Sequence, residues 1–138
     1  MSSSYSAVAF ISDESDFAIP VAADRLSSWP GLSSVRIEIV SNRELHLLFQ
    51  GWRLRIAVEK GGYVPEEARE LAEAHSDYRH AREVARCNRM ASIWSEDNDS
   101  DMNHFNDYLL TVEALVDAFR GVYALDNAAG IWFETRLA

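Results

Sequence analysis

The chain has 138 residues and a formal net charge of −9. With 48% hydrophobic and 25% charged residues, it has the composition of one globular domain, residues 1–138, rather than of a disordered chain. No apolar run reaches the roughly 18 residues of a membrane span, and the acidic excess argues against binding to nucleic acid or anionic lipid. One cysteine and no secretory signal pattern predict a cytoplasmic protein.

The N-terminal half predicts short strands and one early helix. A strand over residues 7–11 precedes a helix over 20–29, which has proline at its start. In residues 35–58, apolar residues alternate with polar ones along three runs, the last two of which are joined at Gly51. This pattern predicts an antiparallel meander of three strands with one face exposed to solvent.

The C-terminal half predicts a mixture of helices and strands. A proline followed by two glutamates indicates a helix that begins at Pro65. The later predicted elements are a helical stretch to about Ala85, a strand over 90–94, an acidic loop over 95–103, a helix over 104–119, and strands over 122–125 and 130–133. We therefore predict an α+β fold, an antiparallel sheet of five to six strands with two or three helices packed on it.

Negative charge is concentrated between Arg89 and Arg120, where seven acidic residues occur without any lysine or arginine. Such a charge distribution either attracts a basic protein partner or only keeps the chain soluble. On the first interpretation, acidic side chains contact the partner and aromatic rings supply buried area, with Trp52 as a further candidate. The predicted partner-binding residues are Trp94, Glu96, Asp97, Asp99, Asp101, Asp107 and Tyr108.

Catalytic and metal-binding motifs are missing from the sequence. There is no GxSxG, GxGxxG, Walker-type or HExxH pattern. The aspartates at 97, 99 and 101 have the spacing of the first calcium ligands of an EF-hand loop, but Met102 and Tyr108 stand where that loop requires glycine and glutamate. We therefore predict no catalytic residue, no metal and no cofactor.

A second hypothesis rests on arginines spaced three, four and three residues apart, which would share one face of a continuous helix. They are Arg79, Arg82, Arg86 and Arg89. Guanidinium groups suit phosphates and carboxylates, so this row would fit a small anionic-ligand-binding domain or a minor enzyme. Pairing with nearby acidic residues is the alternative, and the reactivity of Cys87 is left open.

A resemblance supports the first interpretation. The segment HFNDYLLTVEALVDAF, followed by GVYALDNAAGIWF, resembles in its order of elements small α+β proteins of bacterial polymorphic-toxin systems, over residues 90–133. In such families an acidic cytosolic immunity protein binds and blocks a toxin. The resemblance implies a non-enzymatic inhibitor that occludes a basic partner, and it implies neither catalytic residues nor an oligomeric state.

Overall fold

The computed structural model describes residues 5–59, 61–99 and 101–134. The strands are Ser6–Ile11 (β1), Arg36–Ser41 (β2), Glu44–Phe49 (β3), Trp52–Glu59 (β4), Arg89–Trp94 (β5), Val122–Asp126 (β6) and Ile131–Trp132 (β7). The helices are Ile19–Ser27 (α1), Tyr63–Ala74 (α2), Ala81–Ala85 (α3) and Phe105–Ala118 (α4). None of these helices has the length and apolar composition needed to cross a bilayer.

All seven strands form one antiparallel sheet in the order β2-β3-β4-β5-β1-β6-β7. The N-terminal strand is central, because Ala9 lies opposite Ala91 of β5 on one side and Ala124 of β6 on the other. The α+β fold and the three-stranded meander are confirmed. The described residues contain seven strands and four helices, somewhat more than the five to six strands and two or three helices predicted.

Helices α1 and α4 cover one face of the sheet along most of its width. Alternate residues of each strand point to this side, as in β1, where Ala7, Ala9 and Ile11 are buried in the larger apolar cluster. The cluster continues through Leu54 of β4 and Val112 of α4. The alternating apolar residues of the strands and the helically spaced apolar residues of α4 therefore pack together in this core.

The other face is covered over only part of its width. Helices α2 and α3 pack over Phe10, Met90 and Leu125, which belong to a second apolar cluster that contains no residue of β2, β3 or β4. The side chains of those three strands on this side are mostly charged. We call them the open face: Arg36, Glu38, Glu44, His46, Leu48, Arg53 and Arg55.

Gly121 lies in the short turn between the end of α4 and the start of β6 and allows the chain to enter β6 directly. Its φ is +75°, a left-handed value that glycine adopts at little cost. A Cβ at this position would lie 2.8 Å from the Cβ of Ser12. The carbonyl of Gly121 accepts a hydrogen bond from the Ser12 N–H at 2.8 Å, so α4 and the end of β1 are held close together.

Candidate functional site

Trp94 and Glu96 lie at the end of β5 and are engaged by an arginine of the neighbouring strand. The half-buried Trp94 ring carries the guanidinium of Arg55 5.0 Å from its centroid. Arg55 also forms ion pairs with Glu44, at 2.9 Å, and with Glu96. The charge of Glu96 is therefore balanced within the molecule.

Asp97 lies beside the same arginines. Its carboxylate accepts a hydrogen bond from the backbone N–H of Arg53 at 2.8 Å, which ties the acidic loop to the start of β4. With Glu96, it lines a polar depression of about 440 Å³ together with His46, Arg53 and Arg55. Because acidic and basic groups share this depression, it is not a uniformly negative surface.

The floor of the depression is a chain of polar contacts on the open face. His46, which is buried, contacts Glu44 through Nε2 at 2.5 Å and Arg53 through Nδ1 at 3.2 Å. Since a guanidinium can only donate, Nδ1 accepts and Nε2 carries the hydrogen that Glu44 accepts. Hydrogen bonds from His46 and then from Arg55 hold the pKa of Glu44 below its ordinary value.

Asp99 is buried and anchors the acidic loop. Its carboxylate accepts hydrogen bonds from the Tyr5 hydroxyl at 2.6 Å and from the backbone N–H of His104 at 2.9 Å. Burial by itself would raise the pKa of Asp99, but these hydrogen bonds outweigh it and hold the pKa below its ordinary value. Burial and the contact with Asp99 raise the pKa of Tyr5 to about 12.

Asp101 and Asp107 are the predicted acidic residues that lie near the start of α4. Asp101 is exposed, whereas Asp107 is half-exposed and lies 2.9 Å from Nδ1 of His104. The imidazole of His104 in turn stacks on Trp52, with ring centroids 5.0 Å apart and planes 3° from parallel. Among the predicted acidic residues, Asp101 is therefore the one with the most freely presented charge in the described part of the loop.

Two predicted aromatic anchors are corrected by the structure. Tyr108 has an exposed fraction of 0%, and its hydroxyl donates to Asp126 at 2.6 Å and lies 2.9 Å from the carbonyl oxygen of Ser6. Trp52 is also buried. Tyr108 lies one turn before Val112 on the apolar stripe of α4, so its core position was already indicated by helical spacing.

The predicted partner-binding residues therefore do not form one surface. Trp94 and Glu96 belong to the side of the sheet that carries the open face, Asp99 and Tyr108 are buried, and Asp101 lies near the start of α4. These residues are close in the sequence but do not form a common surface, because the loop after β5 passes from the open-face side of the sheet to the side of α4.

An apolar groove, which the sequence did not reveal, lies beside the start of α4. It has a volume of about 480 Å³ and is lined mainly by Met102, Phe105 and Leu109 on one side and by Ile131 and Phe133 on the other. Met102 and Ile131 are 54% and 65% exposed, and they are two of the five large hydrophobic side chains with high exposure among the described residues. Asp126 also lines the groove, and among residues 5–59, 61–99 and 101–134 no lysine or arginine does.

Met102 adopts an unusual backbone conformation at the rim of this groove. Its φ is +57°, and in the described ranges no other residue except glycine has a positive φ. The left-handed region costs a residue with a side chain roughly 1–2 kcal/mol. The Met102 N–H donates to the carbonyl of Asp99 at 2.9 Å, so the turn built on buried Asp99 directs an apolar side chain outward at a local conformational cost.

The predicted arginine row is wrong, because α3 spans only Ala81–Ala85 and includes Arg82 alone. Arg89 belongs to β5 and donates to the backbone carbonyls of Ser12, Ser15 and Phe17 at 2.8–3.1 Å. Arg79 lies 3.6 Å from Glu134. The four side chains therefore share no helix face.

Cys87 is a buried thiol inside the second apolar cluster. Cys87 is buried, its Sγ donates to the carbonyl of Glu83 at 3.3 Å, and burial raises the pKa of its thiol to about 12. Within residues 5–59, 61–99 and 101–134, no group of three or more histidine, cysteine, aspartate or glutamate side chains is placed to hold a metal ion.

Comparison with known proteins identifies no relative of this chain: no protein-family model, no curated protein and no solved structure matches it.

Proposed function

We propose that this protein is a non-enzymatic binding protein, an immunity protein or comparable inhibitor, that occludes a basic protein partner. The observation that carries the proposal is the apolar groove at the edge of the acidic loop. Exposed apolar side chains that meet in a concave site are a common feature of protein-binding surfaces. On binding a partner, this groove would bury apolar surface, which the acidic loop by itself does not offer.

The occupant we propose is an amphipathic, basic segment of the partner. Its apolar side chains would lie against Met102 and Ile131, and its lysine or arginine side chains would lie near Asp101 and Asp126. The absence of basic residues from the described lining, together with the net charge of −9, favours such a segment over an acidic one. The mechanism is occlusion, in which the bound segment is withheld from its own target.

Two labelled helical peptides test this proposal by fluorescence anisotropy, one with a leucine face and a lysine face, and one with glutamate in place of every lysine. We expect the basic peptide to bind and the acidic peptide not to bind. Replacing Met102→Asn and Ile131→Asn together should weaken binding at least about tenfold. Asparagine accepts a positive φ, so the turn at residue 102 is preserved. Equal binding of both peptides would contradict the proposal.

Tyr63→Asn is the matched control, because Tyr63 is 52% exposed on α2, away from the groove. This variant should bind the basic peptide as the unmodified protein does. Asp101→Asn should reduce the affinity slightly and flatten its dependence on salt, since one exposed charge is removed. Replacing Asp97 and Asp99 is a poor test, because their carboxylates hold the loop together.

The inhibitor role is tested by co-expression with the protein encoded next to this chain in its genome. If that neighbour arrests growth, this chain should restore growth, and the variant with asparagine at both Met102 and Ile131 should not. Rescue by both forms alike would place the inhibitory surface elsewhere.

A further inference from the structure

The outer strand β2 has one edge without a partner strand in the described parts of the chain. It pairs with β3 alone and is six residues long, whereas the opposite outer strand, β7, has only two residues. An unpaired edge presents backbone N–H and C=O groups that can form hydrogen bonds with a further strand. At β2 this edge is long enough for a stable pairing.

The side chains of β2 do not shield this edge as those of most outer strands do. Ile39 and Val40 are 53% and 55% exposed, and the strand contains neither proline nor lysine. Its pairing with β3 shifts register between Ile39 and Ser41, which leaves the run up to Ile39 regular. The regular part of the strand is therefore an unpaired edge that carries the exposed apolar side chain of Ile39 next to the charged side chains of Arg36 and Glu38, and another strand of matching charge would cover it favourably.

The sequence of this run is complementary to itself in the antiparallel direction. It reads Val35-Arg36-Ile37-Glu38-Ile39. When two copies are aligned antiparallel about Ile37, Arg36 of each lies opposite Glu38 of the other, and Val35 lies opposite Ile39. Opposite charges that face each other across an antiparallel pair are stabilising.

Neighbouring registers are disfavoured by the same residues. Centring the pair on Arg36 places two arginines directly opposite each other, and centring it on Glu38 does the same with two glutamates. Like charges in these positions are destabilising. The charges therefore favour the register centred on Ile37 and disfavour its two neighbours. Arg36 is available for such a contact, because its side chain is 75% exposed and, within the part of the chain that the structure describes, forms an ion pair only with Glu38 of its own strand, at 3.0 Å.

We propose that two copies of this chain associate through β2, antiparallel and about a two-fold axis at Ile37, so that their sheets join into one. The axis is perpendicular to the sheet, so each face continues across the junction. Val35, Ile37 and Ile39 of both copies then form an apolar stripe on the side of α1, and the two open faces become one surface crossed by two Arg36–Glu38 pairs. The apolar groove lies toward the opposite edge, and both of its copies stay accessible.

Sedimentation equilibrium of the full chain tests this proposal through a charge exchange. The unmodified protein should dimerise, and Arg36→Glu or Glu38→Arg should each weaken the dimer about tenfold or more, because two attractive cross-strand pairs become repulsive. The double variant, Arg36→Glu with Glu38→Arg, should recover most of the affinity, since opposite charges again face each other. Both positions are on the surface strand, and circular dichroism verifies that each variant is folded.

Arg43→Glu is the matched control for net charge. Arg43 is exposed in the turn after β2 and has no counterpart in the proposed pairing, so this variant should dimerise as the unmodified protein does. The proposal is overturned if the unmodified chain is monomeric at about 1 mM, the weak end of specific association. It is equally overturned if Arg36→Glu and Arg43→Glu weaken the dimer alike, or if the double variant does not recover.

Discussion

The two halves of the sheet differ in how many of their faces are covered. Strands β5, β1 and β6 lie between α4 on one side and α2 and α3 on the other, and all of their residues are buried or half-buried. Strands β3 and β4 are buried mainly on the face toward α1 and α4, β2 has no buried residue, and the other face of all three is mostly charged. The sequences reflect this difference: β1 reads AVAFI over residues 7–11, whereas β4 reads WRLRIAV over residues 52–58.

The difference indicates where stability and binding are located. A strand that is buried on both faces contributes packing and presents little surface to a partner. In the half with the open face, the sheet presents charged side chains and an unpaired edge at β2. The proposed dimer contact therefore belongs to the half-covered region, and the apolar groove lies at the far end, where the short strand β7 leaves α4 partly uncovered.

The largest expected difference is between alanine substitutions of a large apolar residue in each half of the sheet. Phe10→Ala removes a ring that is buried under α2 and α3, and we expect a loss of about 3–5 kcal/mol in the free energy of unfolding. Leu48→Ala on the open face removes a half-buried side chain and should cost about 1 kcal/mol. Urea unfolding of both variants measures the difference, and equal losses would contradict the division of the sheet into two kinds of half.

A smaller difference in the free energy of unfolding is expected between substitutions of one arginine in each half of the sheet. Arg89→Met removes donors to three backbone carbonyls that hold the segment between β1 and α1, and we expect a loss of about 2–3 kcal/mol. Arg53→Met removes an exposed side chain on the open face and its one hydrogen bond to His46, so we expect a smaller loss of about 0.5–1 kcal/mol. If the second variant is as unstable as the first, the open face contributes more to folding than its exposure indicates.

Elements defined by local pattern were predictable from the sequence, and contacts between distant segments were not. The meander was evident because alternation over residues 35–58 is a local property, and α4 was evident from its apolar stripe. Asp99, in contrast, is one of several loop aspartates in the sequence, and its burial depends on a hydrogen bond to Tyr5, 94 residues away, as well as on the local one from His104. No pattern near residue 99 could have revealed that contact.

At the candidate site, too, local features were predictable from the sequence and contacts between distant segments were not. The sequence shows that acidic residues occur near α4 but not which of them are paired within the molecule: Glu96 is exposed, yet it forms an ion pair with Arg55 of another strand. The apolar groove combines Met102 with Ile131, which are far apart in the chain, so neither residue was distinctive alone. Tyr108 is different, since helical spacing from Val112 indicated a core position that the interpretation as an anchor overlooked.

The smallest expected effect concerns Glu44 and its dependence on pH. Its pKa in the folded protein lies below the ordinary value, because His46 and Arg55 donate to its carboxylate. A carboxyl group of this kind stabilises the fold above its unfolded-state pKa, and this contribution is lost as the pH falls through the lower, folded-state pKa. The contribution should be below about 1 kcal/mol, since Glu44 is partly exposed to solvent.

Glu44→Gln isolates this contribution from that of every other carboxyl group. The free energy of unfolding of the variant should lie below that of the unmodified protein at pH 6, and the two should converge as the pH falls below the ordinary glutamate pKa of 4.5 and through the lower, folded-state pKa of Glu44. Denaturant unfolding at a series of pH values measures this gap. If the difference in free energy of unfolding stayed constant with pH, the hydrogen bonds from His46 and Arg55 would not depend on the charge of Glu44. The contacts of the open face would then contribute to stability through packing and neutral hydrogen bonds rather than through ion pairs.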